Sequence, residues 1–134
     1  MTSAERGTAG TFAAGDVAVV LDPDPFFLGF QTFLLGGNGY TVRSPATPEE
    51  FTAKWVLAQR PDLIVTEVLL PGRSGLDLVR ELRASAELQA TIIVYSVLRV
   101  NDRALSAGAD RFLLKPLMRE SYLTALNDAA KRRP

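Results

Sequence analysis

The chain has neither cysteine nor histidine. Those two absences exclude a disulfide framework, a Cys/His zinc site, a thiol nucleophile and a Ser-His-Asp triad. Any metal would be a hard cation held by oxygens. There is no excess of either charge: 15 basic and 15 acidic residues cancel over 134 positions. A neutral chain carries no electrostatic footprint for nucleic acid or an anionic membrane. No apolar run reaches the roughly 18 residues of a membrane span. Residues 1–15, MTSAERGTAGTFAAG, lack the basic start and apolar centre of a secretion signal. They read as a disordered tail, and the expected compartment is the cytoplasm. What is present is a hydrophobic content of 47%, enough for one domain with a core.

Apolar patterning divides the remainder into alternating segments. VAVVL (17–21), DLIVTEV (62–68) and TIIVYSV (91–97) are short β-branched runs and read as buried strands. YTVRSPA (40–46) fits a strand exposed on one face, and RFLLK (111–115) a fifth strand stopped by Pro116. Asp24 is an expected N-cap with Pro25 at the first helical position. Phe26, Phe27, Phe30, Phe33 and Leu34 then recur at helical spacing, and GGNG (36–39) ends that helix. Thr47, Pro48 and Glu50 predict the start of a second helix with Phe51, Trp55 and Ala58 inward. Ser74 caps a third with Leu76, Val79 and Leu82 as its stripe. Residues 101–108 form a weak fourth helix ending at Gly108. A last helix over about 118–132 places Leu123, Leu126 and Ala130 inward, with KRR at the negative end of its dipole. Strands alternating with helices predict an α/β fold with a parallel sheet covered on both faces.

In such a sheet ligands bind beyond the carboxyl ends of the strands. Strand one ends in Asp22, strand three in Glu67, strand four in Ser96 and strand five in Lys115. Each alone has an ordinary reading as a turn former, filler or loop start. Glu67 is harder to set aside, because an acid inside a buried strand needs a partner or loses its charge. Two carboxylates, a hydroxyl and an ammonium on four strands converge on one edge.

The segments VAVVLDPDPFF, PDLIVTEVLLPGRSGLDLVRELR, TIIVYSV and GADRFLLKP, in that order, resemble the receiver domain of bacterial two-component response regulators. The resemblance covers residues 17–132 and assigns 16–134 to one receiver domain. It implies a flavodoxin-like, doubly wound five-stranded parallel sheet in order 2-1-3-4-5 with five helices. It implies an aspartate phosphoacceptor at the end of strand three and acidic Mg²⁺ ligands after strand one. It also implies a Ser/Thr and a Lys that bind the phosphoryl oxygens. Ser96 and Lys115 match, and Asp22 matches the first acidic position. Pro23 stands at the second and Glu67 at the phosphoacceptor position. The family's switch aromatic on strand five corresponds to Phe112, expected in its inward rotamer for want of a hydroxyl.

Both departures weaken ordinary chemistry. Pro23 offers no side-chain oxygen, so Asp22 and Glu67 remain as metal positions, and Mg²⁺ binding is expected to be weak or absent. Glu67 reaches roughly 1.5 Å farther than Asp, and a misplacement of about 1 Å can cost a hundredfold in a transfer reaction. The longer arm could instead pair with Lys115 and accept a hydrogen bond from Ser96. The expectation is a protein-interaction module without enzymatic activity. The alternative is a receiver phosphorylated on Glu67 with slow autodephosphorylation, Leu69 standing where the family places a water-orienting residue. A nucleotide or flavin binder would want a glycine-rich loop after strand one, and DPDPFF is not one. Expected partners are a histidine kinase or an output protein on the helix 4–strand 5–helix 5 face, with a homodimer as a further candidate. The sequence is compatible with a stand-alone receiver and with a piece of a longer protein.

Overall fold

The computed structural model describes residues 16–130. The expected tail, the KRR terminus and the last two residues of the final helix lie outside them. Five parallel strands form the main sheet: β1 (Val17–Leu21), β2 (Thr41–Arg43), β3 (Leu63–Thr66), β4 (Thr91–Ser96) and β5 (Arg111–Leu114). Their spatial order is β2-β1-β3-β4-β5, all neighbours parallel, with Val20 beside Val65 and Val65 beside Ile93. This is the doubly wound order implied above. Helices α1 (Pro25–Gly37), α2 (Ala53–Ala58), α3 (Gly75–Ala84), α4 (Asn101–Ala107) and α5 (Arg119–Ala130) connect the strands.

The period-2 alternation of the strands splits the core into two clusters, one on each face of the sheet. Val19, Leu21, Ile64, Ile92 and Val94 pack with Leu76, Val79 and Leu82 of α3. Ala18, Val20, Val65, Ile93 and Tyr95 pack with Leu34 and Leu35 of α1 and Tyr122 and Leu126 of α5. Each fully buried aliphatic side chain contributes about 1.5–3 kcal/mol.

The caps follow the sequence at several points. The Asp24 carboxylate accepts from Phe26 N at 2.9 Å, Ser74 Oγ accepts from Leu76 N at 3.1 Å, and Gly108 ends α4 at φ 117°. Other expectations need correcting. The second helix starts at Ala53, not Pro48. Glu50 folds back to accept from the amides of Ala46 and Thr47, which closes a 3₁₀ turn at Pro48–Glu50, and Thr52 Oγ1 then caps the true helix at Trp55 N. Its inner residue is Val56, whereas Ala58 is exposed. Phe26 and Phe33 are 70% and 74% exposed, because Gln31, Leu34 and Leu35 form the buried face of α1. On α5, Tyr122, Ala125 and Leu126 are buried and Leu123 only partly. A two-stranded ribbon, Leu69–Leu70 against Arg73–Ser74, precedes α3.

Candidate functional site

The strand ladder continues past β3 and β5 and places the site. Glu67 N–H donates to Leu21 O at 2.9 Å, and Lys115 N–H donates to Ser96 O at 2.8 Å. These bonds bring the residues after four strands to one level, so Asp22, Glu67, Ser96 and Lys115 meet at the carboxyl edge. All four are buried.

Lys115 is the centre of the arrangement. Its Nζ donates to Asp22 Oδ2 at 2.7 Å and to Glu67 Oε1 at 3.1 Å. It also lies 4.2 Å from the centroid of the Phe27 ring and 5.4 Å from that of Tyr95, so aromatic faces cover the parts of the ammonium that the carboxylates leave bare. Glu67 is saturated. Oε2 accepts from the Ser96 hydroxyl, from Val68 N at 2.5 Å and from Leu69 N at 3.2 Å. Ser96 Oγ in turn accepts from Leu98 N at 3.2 Å. Asp22 accepts from Asp24 N at 3.0 Å and from Gln31 Nε2 at 3.2 Å. Its carboxyl titrates above the ordinary 3.8: burial raises it more than the hydrogen bond from Lys115 lowers it.

The carboxylates rest on a second polar layer that the sequence reading passed over. Gln31 donates to Asp22 and accepts from Tyr122 OH at 2.8 Å, with Gln31 1% and Tyr122 0% exposed. Tyr95 packs edge-on to Phe27 and Tyr122 and accepts from Leu117 N at 3.2 Å through its hydroxyl. Burial raises the phenols of both Tyr95 and Tyr122. The available signal was a lone glutamine on the apolar stripe of α1. Gly75 is a second support. A Cβ there would lie 2.0 Å from Glu67 O, so only glycine lets the start of α3 close on the β3 terminus. Phe112 lies elsewhere: it is half-buried on β5 and packs against the α3–α4 side of the core.

A family model for the response regulator receiver domain matches residues 17–127. The chain belongs to this family. It is 35% identical over 100 residues to the two-component response regulator PhoP of Pseudomonas aeruginosa, covering 73% of this chain and 44% of that protein. Over 120 residues it is 30% identical to the transcriptional regulatory protein AruR of the same species, covering 85% and 49%. The chain thus spans about half the length of the curated relatives it matches. Among solved structures it is similar to the signal receiver domain of NarL from Mycobacterium tuberculosis, at TM-score 0.77 and 26% identity over 90% of this chain and 99% of that one. The receiver domain of the sensor histidine kinase PA1611 from P. aeruginosa matches at TM-score 0.74 and 26% identity over 88% and 99%, and that structure has magnesium coordinated in its active-site cleft.

In this receiver domain the residues present do not fit a magnesium ion. Among the described residues no three acidic side chains gather as a metal site. Pro23 has no oxygen to offer, and Asp24 is committed to capping α1. The Lys115 ammonium stands between the two remaining carboxylates. Among the described residues no helix is long and apolar enough to cross a membrane.

Proposed function

We propose that this receiver domain is a protein-interaction module that works without aspartyl phosphorylation. Glu67, Ser96 and Lys115 contact one another where the family seats a phosphoryl group. The observation that carries the reading is the bridge from Lys115 to both Asp22 and Glu67, at 2.7 and 3.1 Å. A buried, paired and hydrogen-bonded carboxylate is a poor nucleophile, because, to attack, Oε1 must leave the Lys115 ammonium or Oε2 its three donors. Glu67 is 5% exposed, so an incoming phosphodonor meets little of it. The same saturation stands against phosphorylation on Glu67, and the reading includes no enzymatic activity. The partners that suit it are a histidine kinase or an output protein, engaged through α4, β5 and α5, where Arg103, Asp102, Arg111 and Glu120 supply mixed charge.

Intact mass after incubation with Mg²⁺ and acetyl phosphate tests this, with a Pro23→Asp/Glu67→Asp double variant alongside. The parent stays unmodified and the variant gains one phosphoryl group. A phosphoryl group mapped to Glu67 of the parent would sink the reading.

A further inference from the structure

We propose that the outer face of α1 is a homodimer interface, with two copies of this chain packing their α1 helices antiparallel about a two-fold axis at the level of Gln31. The inference concerns the outer face of α1 and not the contacts of Glu67, and it stands or falls independently of the reading above.

The first observation is composition. All thirteen residues of α1, PFFLGFQTFLLGG, are uncharged. Surface helices normally turn a charged face to water. Here that face presents Phe26 at 70% and Phe33 at 74% exposure. Beside Phe26, across an apolar groove of about 210 Å³, stands Met118 at 75% exposure.

The second observation is the glycines on the same face. A Cβ added at Gly29, Gly36 or Gly37 would meet nothing within 4 Å. None of the three takes positive φ; among the described glycines Gly39, Gly72 and Gly108 do. Neither internal packing nor turn geometry therefore calls for glycine at these positions, although glycine weakens a helix.

The register joins the two observations and identifies the occupant. A two-fold axis at residue 31 sets Phe26 of one copy against Gly36 of the other, with Gly37 adjacent. The same axis sets Phe33 against Gly29. Both large-to-small pairs share one centre, as an isologous contact requires. Along α1 an uncharged face meets an uncharged face, with Arg119 at the edge of the groove beside Met118. Phe26, Phe33 and Met118 together offer roughly 400 Å² of apolar side chain per copy. A standard interface uses about 800 Å² per partner, so the dimer is a weak one that forms only at high concentration.

Sedimentation velocity of the full chain from about 5 to 500 μM, a range over which a weak dimer forms and dissociates, is the test. The expected result is a concentration-dependent monomer–dimer equilibrium. Phe33→Asp raises the dissociation constant at least about tenfold. The Gly29→Ala/Gly36→Ala double variant fills both notches and also weakens the dimer, while its thermal midpoint stays level or rises because alanine favours the helix. Weaker association with undiminished stability separates a lost interface from a damaged fold. A chain that stays monomeric over the whole range overturns the proposal. So does a dimer indifferent to all three substitutions, which would place the contact on another face.

Discussion

Replacing Lys115 with methionine removes the ammonium that bridges Asp22 and Glu67 and leaves most of the aliphatic stem. The Lys115 and Asp22 side chains are each 2% exposed and that of Glu67 is 6% exposed, so water cannot take over the lost contacts without opening the edge of the sheet. Removing one partner of a buried ion pair costs about 3–5 kcal/mol. Methionine refills the space against Phe27 and Tyr95, which argues for the lower end, about 3 kcal/mol or a fall of roughly 10 °C in Tm. The sign with pH follows from the charges. Burial already holds the Asp22 carboxyl above its ordinary value while Lys115 pulls it down, so removing the cation raises it further. Stability contributed by its protonation is then complete below the unfolded value and is lost as pH rises through the folded one. The deficit against the parent is therefore largest at neutral pH and narrows toward about pH 4. Urea unfolding followed by the single tryptophan, Trp55, measures it at each pH. A variant within about 0.5 kcal/mol of the parent at pH 7, a margin ordinary for surface substitutions, with no relative gain on acidification, would refute the reasoning.

Three further outcomes follow from the same geometry. The raised Asp22 carboxyl contributes stability that is present at acid pH and lost as pH rises from the unfolded value of 3.8 through the folded one; Asp22→Asn removes that slope, so in urea titrations the variant gains on the parent as pH rises above about 4. Gly75→Ala drives a methyl into the Glu67 carbonyl and costs about 2–3 kcal/mol by thermal or urea unfolding. Tyr122→Phe leaves the buried Gln31 carbonyl oxygen without its donor and lowers stability by about 1–2 kcal/mol in the same assay.

Local signals carried the reading where one residue type has one dominant use. The β-branched runs at 17–21, 63–66 and 91–96 have little option but a buried strand, and Asp24-Pro25 and Gly108 mark helix ends through their own backbone preferences. The strand order came from the family resemblance, since alternation alone fixes a parallel sheet and not its winding. Helical spacing did not fix which side of α1 the sheet buries, because with Leu28 and Leu35 added to Phe26, Phe27, Phe30, Phe33 and Leu34 the large apolar residues cover more than half of the helix; the buried stripe follows Gln31, Leu34 and Leu35. The Thr47–Glu50 signature is a sound helix start in sequence, yet here it closes a single turn. The ribbon at Leu69–Ser74 is too short for any period to register. At the site, Asp22, Glu67, Ser96 and Lys115 were legible because each ends a strand. Gln31 and Tyr122, 91 positions apart in the chain, were not, because their pairing exists only once α1 and α5 share a face of the sheet.

The central claim is that Lys115 and Ser96 already satisfy Glu67, so the site responds to neither metal nor phosphodonor. Amide resonances of Val68, Leu69 and Leu98, whose N–H groups point into this network, report on it directly. In a ¹⁵N-resolved NMR titration with millimolar Mg²⁺ followed by acetyl phosphate, the account predicts that these three peaks stay in place. A saturable shift of the same peaks in the parent protein would contradict it.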